Sequence, residues 1–117
     1  EFARQRSPLL VVEAAPQRII DEVEHLFADS VRMPSYQWAC NSMAETDHRD
    51  SLASIVVPTL VVCGDEDRVT PPKLSQELAE GIKGSTLAYV KGAGHLANQE
   101  HPADFNDIVA RFAKSLT

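Results

Sequence analysis

Two loops of this 117-residue chain carry side chains suited to acid–base chemistry. The first contains three acids in a row, Asp65-Glu-Asp67, and the second contains His95 directly after Gly94. A carboxylate that orients a histidine supplies two of the three members of a nucleophilic triad, in which the imidazole takes a proton from the nucleophile. The residue types therefore predict nucleophilic catalysis, with Asp67 as a candidate acid and His95 as the general base.

The sequence on either side of these loops predicts a strand–helix–strand unit. Thr59–Cys63 is a continuous apolar run, typical of a strand covered on both faces as in parallel sheets, and Thr86–Val90 is the next predicted strand. Between them, we expect Thr70 to cap a helix that begins with two prolines and that Gly84 ends. A last helix is predicted from Pro102. Loops at the carboxyl ends of parallel strands share one edge of the sheet, so the acid and the imidazole are expected within hydrogen-bonding distance.

Helical periodicity dominates the first half of the chain. Apolar residues recur on one face from residue 17 to about 30, and again over residues 35–45, where Ser35 is a candidate cap. Residues 1–15 show no clear period, and a short polar segment at 46–51 separates the helical half from the strands. The chain is therefore predicted to be α/β, with helices first and a strand–helix–strand–helix portion second.

A sheet of two parallel strands is incomplete on physical grounds. It leaves two edges unpaired, and it is too small to cover both faces of the apolar run Leu60–Cys63. We therefore expect further sheet to come from another part of the polypeptide or from a second copy of the chain.

Composition and charge argue against several classes of partner. Hydrophobic residues make up 44% of the chain and charged residues 24%, as in ordinary globular domains. The formal charge of -6 argues against nucleic acid, and no apolar run approaches the ~20 residues that span a membrane. The chain shows no leader sequence, and Cys40 and Cys63 form no CxxC pair, so a reduced, cytoplasmic compartment is expected. The acids at 65–67 lack the regular ligand spacing of a metal site.

Two segments resemble the carboxy-terminal end of an α/β-hydrolase. They are Ile55–Pro72, which contains Cys-Gly-Asp-Glu-Asp, and Gly92–Phe105, which contains His-Leu-x-Asn-x-Glu-x-Pro. Within that superfamily, these two sequence motifs are most similar to those of the 3-oxoadipate enol-lactonases. The resemblance implies a partial α/β-hydrolase fold, in which residues 1–50 form part of a helical cap or lid. Residues 51–117 would then be the carboxy-terminal βαβα portion of the core, with its last two parallel strands and flanking helices.

The same resemblance implies an activity and assigns the triad. It selects Asp67 as the triad acid, leaving the other two acids solvated, and it makes His95 the triad base of a serine hydrolase that acts on small lactones or carboxylic esters. No metal or organic cofactor is expected. The family's serine lies in a G-x-S-x-G turn, which does not occur in this chain. We therefore expect the chain alone to be inactive, with the nucleophile and the oxyanion hole supplied by the missing amino-terminal part of the fold.

Other interpretations of the same residues stay open. Cys63 and His101 are weaker catalytic candidates, because packing in the strand and the start of the last helix explain them as simply. Perhydrolase and thioesterase activities compete with lactone hydrolysis, since one scaffold hosts many chemistries. A non-enzymatic alternative is an assembly module whose exposed strands pair with another chain.

Overall fold

Helices fill the first half of the chain and a strand–helix–strand–helix unit fills the second in the computed structural model, which describes residues 1–117. The first half contains α1 (Phe2–Arg6), α2 (Gln17–Ser30) and α3 (Ser35–Glu45), with 3₁₀ turns at Ser7–Leu9 and Arg49–Ser54. The second half contains β1 (Leu60–Gly64), α4 (Pro72–Gly81), β2 (Thr86–Val90), α5 (Ala97–Glu100) and α6 (Pro102–Lys114). The predicted α/β order is confirmed. None of these helices combines the length and the apolar character that a membrane crossing requires.

β1 and β2 form a two-stranded parallel sheet, as the sequence predicts. Leu60 lies opposite Thr86 and Gly64 opposite Val90, so the two strands end at the same edge of the sheet. α4 connects the strands and contacts both of them, which completes the expected βαβ unit. The loops that follow the two strands therefore start side by side.

One small apolar core lies between the sheet and the last helix. Val90, Ala93 and Ala97 are buried there, and Phe105 and Ile108 of α6 pack against them. The apolar positions of α6 recur at helical spacing, so one face of this helix meets the sheet and the opposite face is polar. Because Ala93 belongs to the loop after β2, this core holds that loop against α6.

A second apolar core lies in the helical half of the chain. Val11, Ile19 and Val23 are its buried members, the last two from α2. Leu96 packs against this cluster although it belongs to the second half of the chain, one position after His95. The helical half is therefore joined by apolar contacts to the loop that carries the candidate base.

β1 is more exposed to solvent than its apolar sequence predicts. Leu60, Val61 and Val62 are only half-buried, and the burial is complete only in the last two residues of the strand. Val56 and Val57, just before the strand, are 88% and 65% exposed. The two-stranded sheet thus keeps unpaired edges and uncovered apolar surface, the features that lead strands to recruit further strands.

The ends of α4 differ from those that the sequence predicts. The helix begins at Pro72, and Thr70 does not cap it, because the Thr70 hydroxyl is held by side chains of the two loops instead. The helix ends at Gly81, because Ile82 leaves helical geometry and is buried. Gly84 lies in the turn that precedes β2.

The helical half also departs from expectation in two places. Residues 1–15 contain α1 and the first 3₁₀ turn, although they show no local period. Ser35 is the first residue of α3 and makes no capping hydrogen bond. The second 3₁₀ turn, Arg49–Ser54, spans the expected boundary between residues 1–50 and 51–117, and that division into cap and core stays a prediction.

Candidate active site

Hydrogen bonds hold the two loops against each other. The Asp65 N–H donates to the Val90 carbonyl oxygen at 3.2 Å, and the Glu66 N–H donates to that of Ala93 at 3.0 Å. The Gly92 N–H donates to Oδ1 of Asp65 at 2.6 Å. Asp65 is exposed, as expected, and its carboxylate also binds the backbone of the second loop.

Two glycines allow this close approach. A methyl group at Gly64 would lie 2.2 Å from the carbonyl oxygen of Gly94 and 2.3 Å from that of Ala93. A methyl group at Gly94 would lie 2.5 Å from the backbone nitrogen of Val12. These distances are far below van der Waals contact. Any other residue at Gly64 would push the two loops apart, and any other residue at Gly94 would push the second loop away from Val12.

The candidate acid and base meet at this edge of the sheet. Nδ1 of His95 lies 2.9 Å from Oδ2 of Asp67, so the predicted hydrogen-bonding distance is confirmed. The Asp67 side chain is 6% exposed and the His95 side chain 33% exposed. The acid therefore lies buried behind the base, and the imidazole remains in contact with solvent.

The Asp67 carboxylate is saturated with donors. Its Oδ1 accepts the N–H groups of Val69 at 2.8 Å and of Thr70 at 3.0 Å, and its Oδ2 accepts the Thr70 hydroxyl at 2.9 Å. Burial alone would raise the pKa of Asp67, but the hydrogen bonds from His95, Thr70 and Val69 together outweigh it and the net pKa is lowered. The group is therefore an ionised carboxylate at neutral pH.

The hydrogen-bond network around Thr70 sets the tautomer of the imidazole. An ionised carboxylate only accepts, so the single hydroxyl hydrogen of Thr70 points to Asp67. The Thr70 oxygen also lies 3.1 Å from Nδ1 of His95, where it must accept. Both contacts of Nδ1 thus require a proton on that nitrogen. The lone pair of the neutral imidazole is left on Nε2, which makes no hydrogen bond within the chain.

Glu100 fixes the loop that carries His95. Its Oε1 accepts the Gly94 N–H at 2.9 Å, and its Oε2 accepts the Val12 N–H at 2.6 Å. One carboxylate therefore binds the residue before the base and a residue 88 positions away in sequence. Hydrogen bonds to a charged acceptor are among the stronger ones in proteins.

Arg68 and Leu96 tie both loops to the segment that precedes α2. Nη2 of Arg68 donates to the carbonyl oxygens of Pro8 and Val11, each at 3.1 Å. The Leu96 N–H donates to the Leu10 carbonyl oxygen, also at 3.1 Å. The residues next to Asp67 and next to His95 are thus both bound to the same short stretch of backbone.

Sequence reasoning missed three residues that organise the pair. Thr70 fitted the pattern of a helix cap equally well, so nothing local distinguished the two roles. Glu100 lies within the His-Leu-x-Asn-x-Glu-x-Pro pattern, which was the available signal, although the pattern does not say what the acid binds. Arg68 carried no signal, because its partners are backbone oxygens far away in sequence.

The two weaker catalytic candidates have structural contacts. The Cys63 thiol is buried and donates to the carbonyl oxygen of Gly64 at 3.0 Å. Nε2 of His101 lies 3.2 Å from the Gly92 carbonyl oxygen, to which it donates, and His101 directly precedes α6. Neither side chain hydrogen-bonds to the Asp67–His95 pair.

A cavity of about 160 Å³ opens beside the pair. Asp67, Thr70 and His95 line one part of it, and Cys63 of β1 and Asn98 of α5 line another. No group of three or more histidine, cysteine or acidic side chains is arranged to hold a metal ion. The chemical content of this site is therefore a buried carboxylate, an oriented imidazole with a free nitrogen, and adjoining open space.

Comparisons with known proteins place this geometry in a family. A model of the Alpha/beta hydrolase family matches residues 2–108. The chain is 32% identical over 115 residues to AB hydrolase superfamily protein YisY of Bacillus subtilis, an alignment that covers 86% of this chain and 43% of that protein. It is 35% identical over 103 residues to 3-oxoadipate enol-lactonase 2 of Acinetobacter baylyi, covering 88% of this chain and 38% of that one.

The fold agrees with a solved member. The enol-lactonase from Burkholderia xenovorans LB400 superposes with a TM-score of 0.87 at 24% identity, over 97% of this chain and 44% of that chain. The chain therefore spans about two fifths of the length of the relatives it matches. The resemblance to the carboxy-terminal part of such enzymes is confirmed, and the chain belongs to the alpha/beta hydrolase family.

Proposed function

We propose that this chain supplies the acid and the base of a serine hydrolase that acts on small carboxylic esters or lactones, with Asp67 and His95 as the catalytic pair. The observation that carries the proposal is the 2.9 Å contact from Nδ1 of His95 to Asp67, which leaves Nε2 free to take a proton. Relatives named as enol-lactonases support the ester or lactone class.

The proposed mechanism uses the pair twice. Nε2 of His95 removes the proton of a serine hydroxyl while the serine oxygen attacks the substrate carbonyl, and Asp67 stabilises the imidazolium that forms. The imidazolium then gives its proton to the departing alcohol oxygen. Water, deprotonated by the same nitrogen, next attacks the acyl carbonyl carbon. The bond to the serine oxygen breaks, the imidazolium returns its proton to that oxygen, and the acid is released. Backbone N–H groups that bind the oxyanion contribute roughly 10²–10³ in rate each in enzymes of this type.

The proposal assigns the nucleophile to another segment of the polypeptide. This chain contains no G-x-S-x-G turn. The unpaired edge of β1 offers a place for a further strand, and the cavity beside Asp67 and His95 offers space for a side chain to approach the base. The length of the relatives supports this division, since the chain matches only 38% to 43% of them.

An assay of the chain with and without an upstream segment tests the proposal. We expect no turnover of an activated ester such as p-nitrophenyl acetate by the chain alone, and turnover when a segment with a G-x-S-x-G turn is joined to it. In the joined protein, His95→Ala should lower kcat by about 10⁶. His25→Ala is the matched control, because His25 is an exposed residue of α2 paired with Asp29. Full activity of the His95→Ala protein would refute the assignment.

The family match does not favour the non-enzymatic alternative, in which the chain is an assembly module. The observation behind this alternative is the unpaired edge of β1. An assembly module would bind another chain through β1 and would not need an oriented imidazole. Light scattering of the joined protein separates the two proposals. A monomer that hydrolyses esters supports the enzyme, and a stable oligomer without hydrolysis supports the module.

A further inference from the structure

A second cavity borders His95 on the side of the helical half. Its volume is about 300 Å³, at the lower end of the range for small-molecule sites. The residues that line it together with His95 are Leu10, Val23, Leu26, Phe27, Leu96 and Gln99. We refer to it as the α2 cavity, since α2 supplies three of these residues. A group that fills it lies next to the candidate base.

The walls of the α2 cavity are apolar and carry no formal charge apart from any on His95. Five of the six other lining residues are hydrocarbon side chains, and the sixth is the neutral amide of Gln99. A carboxylate placed there would lose water without gaining a cationic partner, which is strongly unfavourable. An alkyl or phenyl group of the same size would be favoured, because it is removed from water.

The arginine that directly follows Asp67 in sequence is placed elsewhere. Arg6 and Arg68 line a separate cavity of about 320 Å³, which His95 does not border. The Arg68 guanidinium is also bound to two backbone carbonyl oxygens. The formal charge of -6 and the acids of the first loop add repulsion toward an anionic substrate.

We propose that the substrate places an uncharged, apolar acyl or alcohol group in the α2 cavity, and that esters or lactones bearing a free carboxylate at this position are disfavoured. This inference rests on the proposed function, since it assumes that the reacting carbonyl lies at Nε2 of His95. It narrows the substrate class from esters and lactones in general to those with a neutral hydrocarbon group of short-alkyl or phenyl size.

Alkylation of His95 by a matched pair of bromomethyl ketones tests the inference on the chain itself. The probes are 1-bromohexan-2-one and 6-bromo-5-oxohexanoic acid. At the end far from the bromine, the first carries a methyl group and the second carries a carboxylate. The free nitrogen of the imidazole displaces bromide, and peptide mass spectrometry measures the rate at each histidine. Dividing the His95 rate by the rate at exposed His48, which lies outside α2, removes the intrinsic reactivity of each probe and part of the effect of net charge.

We expect the normalised rate at His95 to be about 10- to 100-fold higher for the hexanone than for the keto acid, the range in which apolar pockets discriminate. Leu26→Arg should lower this preference at least several-fold, because it brings a cation to the cavity. Leu116→Arg is the matched control: both leucines are 53% exposed, and Leu116 does not line the cavity. Leu26→Gln separates the effect of charge from that of shape and should keep most of the preference.

Two results would overturn the inference. One is an equal or higher normalised rate for the keto acid in the parent chain, and the other is a preference that Leu26→Arg leaves unchanged. Neither depends on turnover, so the proposed function is tested separately by ester hydrolysis in the joined protein. Preference for the hexanone without hydrolysis would contradict the proposed function alone. Hydrolysis with a preference for the keto acid would contradict only the inference about the substrate.

Discussion

The two site loops and helix α3 are held in very different ways. The loops, residues 64–70 and 92–100, are bound to each other, to β2 and to the segment before α2 by backbone and charged hydrogen bonds. α3 has no buried residue, and its Trp38 and Met43 are 65% and 76% exposed. The ring of Tyr36, near the start of α3, packs on the rings of Phe2 and Phe27.

This difference shows where the geometry of the site originates. The relative position of Asp67 and His95 is set by contacts that lie inside this chain, whereas α3 presents apolar side chains to solvent. Preorganised polar groups are what a catalytic pair requires, because no reorganisation is then needed during the reaction. We therefore expect substitutions in the loops to have large effects and equivalent substitutions around α3 to have small ones.

The largest contrast should come from removing the negative charge of Asp67. Asp67→Asn places an amide at the Nδ1 position, which destabilises the imidazolium and favours the wrong tautomer, so kcat for ester hydrolysis by the joined protein should fall by about 10⁴. Asp50→Asn, in the exposed turn after α3, is the control and should leave kcat unchanged. Equal effects of the two substitutions would show that the loop carboxylate has no special role.

The second contrast concerns stability. Gly64→Ala forces a methyl group against two carbonyl oxygens and should lower the free energy of unfolding by about 3 kcal/mol, the upper end for overpacking. Trp38→Ala removes a far larger group but from an exposed position, so its effect should stay within about 0.5 kcal/mol. Urea denaturation followed by circular dichroism measures both. A larger loss from Trp38→Ala would mean that α3 is covered in solution.

A third test isolates the carboxylate that joins the loop to residue 12. Glu100→Gln keeps the shape of the side chain but turns an NH₂ group toward one of the two backbone donors, so the free energy of unfolding should fall by about 1.5 kcal/mol. Glu45→Gln at the end of α3 is the same substitution on an exposed side chain and should be neutral. Indistinguishable unfolding curves for the two variants would exclude a role for Glu100 in holding the loop.

The smallest effect on stability is expected from lowering the pH. Because the folded state lowers the pKa of Asp67, the stability from this group is present at neutral pH and is lost as pH falls below about 4, through the lower folded pKa. The loss of stability between about pH 5 and pH 3 should therefore be smaller in Asp67→Asn than in the parent chain. Asp50→Asn should keep the slope of the parent, and an unchanged slope in Asp67→Asn would contradict the lowered pKa.

Much of the framework was predictable because its signals are local. The span of β2 is the predicted one, β1 differs by one residue at each end, and the parallel pairing followed from the order of the elements. The Asp67–His95 contact was predictable for the same reason, since both residues follow strands that end at one edge. Close backbone approach occurs at Gly64 and at Gly94, where no side chain would fit.

The remainder depends on contacts that no local pattern records. The Thr70 hydroxyl could satisfy a helix end or a carboxylate, and only the position of the second loop decides between them. Arg68 and Glu100 bind backbone groups many residues away. Nearly every residue type carries these groups, so the sequence does not show which ones are bound. Residues 1–15 take their structure from such contacts rather than from a repeating apolar pattern.

The bond between Val12 and Glu100 also has a consequence for biosynthesis. It joins positions 88 residues apart, so nearly the whole chain must be synthesised before it forms. Contacts of such long range are made late, because the entropy of the intervening chain opposes them. During translation, the strand–helix–strand unit can thus assemble before the imidazole is locked in place, and a growing polypeptide would gain its proton-transfer geometry only after Glu100 has left the ribosome.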